Sequence, residues 1–188
     1  MIKMNNVDKL TEKIDALLSE KESVIIALDG PCGAGKTTLA EALAKKYDAN
    51  VFHADDFFLR REQRSAERNS QIGGNIDYER LSEEVIIPLS QGKEFSFHPF
   101  SCKTLSLADE VFVSRKKLNI IEGSYSHHPY FGDVYDLKVF IDIAPEEQKK
   151  RILKRNPENA ERFFIEWILK ENQYFEFFEI KKKADMIL

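Results

Sequence analysis

The sequence predicts an α/β protein: a five-stranded parallel sheet with helices on both faces and a small antiparallel β excursion. Two observations predict it. Short apolar runs begin near Val24, Val51, Leu118, Leu137 and Ala184 and alternate with segments of helical periodicity, the pattern of strands joined by crossover helices. The first run, Val24-Ile25-Ile26-Ala27-Leu28-Asp29, leads at once into Gly30-Pro31-Cys32-Gly33-Ala34-Gly35-Lys36-Thr37-Thr38. Leu39, Leu43 and Tyr47 then follow at helical spacing.

That second stretch is G-x-x-x-x-G-K-T in a strand–loop–helix setting, the context a phosphate-binding loop needs. Glycines let backbone N–H groups turn inward to form an anion nest, and the helix behind points its positive end at the same place. Residues Gly30 to Thr38 are thus expected to cradle a nucleoside triphosphate. Lys36 would reach its β- and γ-phosphates, and the Thr37 hydroxyl would sit on Mg2+. The fold expected is that of the P-loop NTPases.

The 188 residues suit one domain, 1–188, with a helix over 1–22, the β excursion over 94–113 and a lid over 149–160. Lys and Arg number 28 against 32 Asp and Glu, so there is no basic excess and nucleic acid is not the expected partner. The N-terminus reads as a charged amphipathic segment rather than a signal peptide. No apolar run approaches the roughly 20 residues that span a bilayer, so no membrane partner is expected. Cys32 and Cys102 offer neither a disulfide framework nor paired metal spacing, and read as free thiols of a reducing cytoplasm. Oligomeric state stays open, a homo-oligomer included.

In chain order, Val7, Leu10, Ile14, Leu17 and Leu18 define a first helix, capped by Asn5 or Asn6 and packed on the sheet edge. The strand Asn50-Val51-Phe52-His53 runs into Asp55 and Asp56. Acids at the carboxyl end of a parallel strand, beside a phosphate loop, can accept a proton from an attacking hydroxyl or hold Mg2+ through water. Strand alternation lets only one of the two face the site easily, and His53 reads as a packed strand residue. Arg60 to Gln71 is dense in charge and reads as an exposed, mobile segment, helical if ordered, either a solvated surface helix or a substrate-closing flap. Asp77 stands near the cap of a helix whose buried face is Leu81, Val85 and Leu89, ended by Pro88 and Gly92. Phe95, Phe97 and Phe100 open the excursion, where they either stack on a flat acceptor or form a satellite core.

The strand Leu118–Ile121 ends in Glu122-Gly123, where the second Mg2+-associated carboxylate of a phosphate-loop enzyme would sit. Tyr125, His127 and His128 read as ordinary loop residues. After the strand Leu137–Ile143, Pro145 opens a basic helix on which Arg151 and Arg155 share a face, suited to closing over the triphosphate. The stripe Phe163, Phe164, Trp167, Ile168, Tyr174, Phe175 and Phe178 reads as core packing. Ala184 to Leu188 forms the last strand.

From Ser23 to Leu188 the chain resembles the uridine kinase-like branch of the phosphate-loop kinases, whose relatives include phosphoribulokinase and bacterial pantothenate kinase. The resemblance is carried by the Gly30–Thr38 loop, Asp55-Asp56-Phe57-Phe58, Asn75-Ile76-Asp77, Ile121-Glu122-Gly123, Tyr135 to Phe140, and Arg151 with Arg155. It implies strand order 2-3-1-4-5 and ATP with Mg2+. It makes Asp55 the base for a sugar 5′-hydroxyl, Asp77 a ribose contact, Glu122 a Mg2+ partner and the two arginines parts of the lid. Phe58 stands where a tyrosine is usual. His98 and Lys103 are nearest to the positions of pyrimidine-reading Tyr and His. The chain also stops at the last strand, where relatives continue beside the adenine.

Three functions follow. The first is a uridine/cytidine-type nucleoside kinase with a small-molecule acceptor. The second is a kinase for another small metabolite (pantothenate-like, a sugar or a nucleoside monophosphate). The third is a nucleotide-binding regulatory module without catalysis.

Overall fold

The computed structural model of the chain describes residues 4–188. Its central sheet holds β1 (Val24–Asp29), β2 (Asn50–His53), β3 (Leu118–Glu122), β4 (Leu137–Phe140) and β5 (Met186–Ile187). All are parallel, in the order β2-β3-β1-β4-β5, which is the expected 2-3-1-4-5. β1 and β3 are buried along their whole lengths, as near-continuous apolar strands covered on both faces must be. β4 and β5 are shorter than the sequence suggests. Register pairs Glu122 with both Leu28 and His53, so the ends of β1, β2 and β3 deliver their last residues to one edge.

The main helices are α1 (Met4–Glu20), α2 (Lys36–Tyr47), α3 (78–90), α4 (Pro145–Arg155) and α5 (160–177). Strand alternation splits the apolar residues between two cores. Ile26, Leu28 and Ile120 pack against Leu10 and Ile14 of α1 and Leu39 and Leu43 of α2. Ile25 and Ile121 pack on the opposite face against Phe52, Leu81, Val85 and Tyr174. Asn5 and Asn6 lie inside α1, which already begins at Met4, so neither precedes the helix as its cap.

α3 runs through Pro88 instead of ending there. Proline cannot donate to the carbonyl four residues back. The helix absorbs this with a π-type turn over Ser82–Ile86, where the Ile87 N–H donates to Ser82. Gly92, at φ 62°, then closes it with an N–H to Leu89 O at 2.9 Å.

The excursion pairs Phe95–Phe97 with Val111–Val113, and Phe100–Ser101 with Ser106–Leu107, both antiparallel. Its aromatics settle as core: Phe97 stacks on Phe57 with ring centroids 5.6 Å apart, and Phe95 on Phe52 at 6.0 Å. Arg80, buried over the Phe57 ring, ties the excursion down through His98 O at 2.6 Å and Asp56 O at 2.8 Å. The 60–71 segment is largely exposed, as expected, and carries a short helix over Ala66–Ser70. Arg68 makes five hydrogen bonds back to Gly74, Ile76, Tyr78 and Glu79, the last bidentate at 2.6 and 2.7 Å.

Candidate active site

The phosphate loop is shaped by backbone that only glycine tolerates. A Cβ on Gly30 (φ 143°) would lie 2.2 Å from Ile141 O, so the chain leaves β1 pressed against the strand beside it. Gly33 and Gly35 follow at φ 78° and 105°, which turns successive N–H groups inward. Among the described residues, no protein acceptor meets the N–H groups of Gly33, Gly35, Lys36 and Thr37. Unpartnered N–H groups converging at a helix N-terminus fit an anion of several oxygens. Pro31 O accepts the Ala34 N–H at 3.1 Å and braces the turn.

Asp29, fully buried at the end of β1, anchors the surroundings. Its carboxyl group accepts from the N–H groups of Gly30, Tyr125 and His127 at 2.7, 3.2 and 2.9 Å, and from the Tyr174 hydroxyl at 2.8 Å. This one side chain sets the phosphate loop, the loop after β3 and α5 in fixed relation. Lys36 folds back on its own loop, donating to Gly30 O at 2.6 Å and Pro31 O at 3.0 Å.

At the end of β3, Glu122 Oε1 accepts from the Thr37 hydroxyl at 3.0 Å and contacts His53 Nδ1 at 2.6 Å. That hydrogen bond raises the His53 pKa, and burial opposes it. His53 is therefore the partner of Glu122, not a merely packed strand residue. Gly123 is required here: a Cβ at its φ of 138° would meet Ala54 Cβ at 2.7 Å. No group of three or more His, Cys, Asp or Glu able to hold a metal is present among the described residues. Two hard oxygen donors fit Mg2+, which keeps its waters and binds through one or two protein oxygens plus phosphate. Thr37 and Glu122 would hold it.

These groups open on one cleft of about 670 Å3, large enough for a nucleotide and a small acceptor together. Gly33, Gly35, Lys36, Thr37 and Thr38 line its donor half. Asp55, from the short turn Ala54–Phe57 after β2, faces the cleft, whereas Asp56 points away. Enclosure by the cleft walls pushes the Asp55 carboxyl above its ordinary value, with Lys36 pulling the other way and Glu122 adding to the rise. From α4, Arg151 donates to Gly33 O at 3.0 Å and Ala34 O at 3.3 Å, while Arg155 stands free beside Asp55. Cys32 is half-buried under the same helix, its thiol pushed up to about 12 by burial and by Glu171, with Gln148 donating to its carbonyl at 2.9 Å.

Phe58 lines the cleft in contact with Trp167, their ring centroids 5.6 Å apart. Three other expected acceptor residues are elsewhere. Asp77 is buried as the cap of α3, one oxygen accepting the Arg80 N–H at 3.1 Å and the other Gln63 Nε2 at 2.7 Å. His98 and Lys103 are exposed on the excursion, outside the cleft.

The aromatic stripe of α5 divides in two. Tyr174 and Phe175 are core, but Phe163 and Trp167 line the cleft, together with Glu171. Phe163, Trp167 and Glu171 are spaced by four, one face of a helix, and a lone acid on that otherwise aromatic face was the available signal. His127 and His128 are buried, not ordinary loop residues. His128 stacks between Tyr78 (4.4 Å) and Tyr174 (6.1 Å), and burial pushes its pKa down to about 4.

No family model matches the chain. It is 26% identical over 187 residues to a uridine kinase of Latilactobacillus sakei, covering 90% of this chain and 86% of that one. It is 25% identical over 176 residues to a cytidylate kinase of Alkaliphilus oremlandii, covering 87% and 73%. A structure of a possible uridine kinase from Bacillus stearothermophilus shares the fold at TM-score 0.70 and 22% identity, over 96% of this chain and 99% of that one. Phosphoribulokinase from Rhodobacter spheroides shares it at TM-score 0.57 and 13% identity, over 87% and 68%. No described helix is long and apolar enough to cross a membrane. Sequence similarity to uridine and cytidylate kinases, with a fold shared with phosphate-loop kinases, supports kinship with the uridine kinase-like phosphate-loop kinases.

Proposed function

We propose that the protein is a Mg2+- and ATP-dependent kinase that phosphorylates the 5′-hydroxyl of a uridine- or cytidine-type nucleoside. The observation that carries this reading is the meeting, in one cleft, of Asp55 with the Thr37–Glu122 pair and the Lys36 loop. Asp55 takes the proton of the acceptor hydroxyl as its oxygen bonds to the γ-phosphorus and the bond to the β-phosphate oxygen breaks. Lys36 leaves its loop carbonyls for the phosphates, and Arg151 and Arg155 offset the charge that spreads over the transferred group. Thr37 and Glu122 would hold Mg2+, which would supply charge neutralisation to the phosphates when bound. Phe58 and Trp167 offer the flat apolar walls that a base or sugar ring packs against.

A second reading has its own support. Lys154 and Arg155 line the cleft, whereas His98 and Lys103 do not. Cations at the site and no excursion side chain reaching it suit an acceptor that already carries a phosphate, such as a nucleoside monophosphate. ADP release measured over nucleosides, nucleoside monophosphates, pantothenate and sugars separates the two. Uridine or cytidine as the best acceptor supports the first, and a monophosphate the second. No acceptor raising turnover above background ATP hydrolysis overturns both.

A further inference from the structure

Glu171 is the one buried acid of α5, only 5% exposed, and the transfer step described above does not use it. Its Oε2 accepts the Cys32 N–H of the phosphate loop at 2.9 Å, and its Oε1 accepts the Ser124 hydroxyl at 2.7 Å. Lys36 Nζ lies 3.3 Å from the same Ser124 oxygen. A carboxylate is therefore bound to a phosphate-loop donor, with the loop lysine one hydroxyl away as its nearest cation. It occupies the kind of place an anionic phosphate oxygen takes.

We propose that Glu171 is a built-in competitor for the phosphate loop, and that phosphates arriving there release it and so shift the acceptor wall that α5 carries. The proposal rests on the reading of the loop as a nucleotide site. When Lys36 turns to the phosphates, Glu171 loses its countercharge and gains a polyanion as neighbour. Like charges a few ångströms apart in a partly enclosed site repel strongly. Something must yield, and α5 is built to do so. Phe163–Trp167 forms a π-type turn, a widened stretch that helices use where they re-register. That turn holds both aromatic residues that α5 gives to the cleft lining, one turn before Glu171.

Trp167 is the only tryptophan of the chain, so the wall carries its own reporter. The test is calorimetric titration with Mg2+-ADP and with Mg2+-tripolyphosphate, alongside Trp167 emission, for the wild type, Glu171→Gln and Ser124→Ala. Removing the competing charge should tighten both ligands about tenfold in Glu171→Gln, a conservative figure for one like charge at this range. Loss of the hydroxyl that helps hold Glu171 should tighten them about threefold in Ser124→Ala. In the wild type, saturation with tripolyphosphate should shift Trp167 emission; in Glu171→Gln the unliganded emission should already be shifted.

A merely structural Glu171 gives the opposite sign, because leaving the Cys32 N–H badly met loosens the loop and weakens binding. Equal or weaker binding by either folded variant overturns the inference while leaving the nucleotide site standing. So does wild-type emission that tripolyphosphate leaves unmoved. A wild type that binds neither ligand overturns the inference and the nucleotide-site reading together.

Discussion

The rings of Phe58 and Trp167 pack against each other in the cleft lining, with centroids 5.6 Å apart and planes tilted by 53°. Phe58 follows the turn that carries Asp55, and Trp167 sits on α5, so the pair joins the base to the far wall of the acceptor half. If that wall holds the acceptor, Trp167→Ala should raise the acceptor KM about tenfold, the loss of one aromatic contact and its buried area. The KM for ATP should stay within about threefold. Initial-rate kinetics with each substrate varied in turn measures both.

Asp55 carries the second prediction. Desolvation by the cleft walls raises its pKa above the ordinary 3.8, so it keeps its own proton at pH values where a free aspartate has lost it. A protonated Asp55 cannot accept another proton. The acid limb of the kcat/KM profile should therefore lie above the usual aspartate range, with activity falling as pH drops through it. Asp55→Asn should lower kcat by about two to four orders of magnitude, the usual worth of a general base, and remove that limb. Nucleotide affinity should change by less than about threefold. A variant that keeps full turnover would assign the base elsewhere.

Glu122 divides one oxygen between Thr37 and His53, so His53 fixes the direction in which the carboxyl group faces the loop. Partners of this kind are commonly worth ten- to a hundredfold in metal affinity. His53→Ala should raise the Mg2+ concentration for half-maximal rate about tenfold. The rate at saturating Mg2+ should fall much less. A Mg2+ titration at fixed ATP reads the difference.

What could be read from sequence here was local. The phosphate loop, the five strands and the cap at Asp77 each rest on neighbouring residues whose types dictate backbone shape, and the sheet order came with the family resemblance. What escaped depends on residues far apart in the chain. Glu171 reaches Cys32 across 139 positions, and His53 reaches Glu122 across 69. No periodicity encodes either contact. Arg68 misled for the same reason: in a charge-rich stretch it reads as solvated, and only folding brings Tyr78 and Glu79 around it. Asp77 shows the converse, since the cap role was local and legible while the cleft contact implied by resemblance is not where the side chain lies.

Gly123 tests the fit between the sheet edge and the Asp55 turn. At φ 138° a side chain is strained, and its Cβ would also meet Ala54 Cβ at 2.7 Å, backed by the Ala54 nitrogen at 3.2 Å. Gly123→Ala should cost about 2–4 kcal/mol in chemical denaturation, combining backbone strain with overpacking. Any residual activity should fall with it, because Glu122 and Asp55 flank the clash.

The last prediction concerns His128, held neutral among Tyr78, Phe131, Tyr174 and Phe178. Burial lowers its pKa from 6.5 to about 4. Between those values the unfolded chain binds a proton that the folded protein refuses. This contribution to stability is therefore complete above 6.5 and is lost as pH falls toward 4. His127, also lowered by burial, acts in the same direction. At 1.36 kcal/mol per pH unit below about 6.5, acidification to about pH 4.5 should cost about 2 kcal/mol through His128 alone. His128→Phe keeps the ring stack and removes the titration, so its denaturation midpoint should fall less over the same range. Parallel urea curves for the two proteins at several pH values test this, and equal slopes against pH would show that His128 does not titrate between its two states.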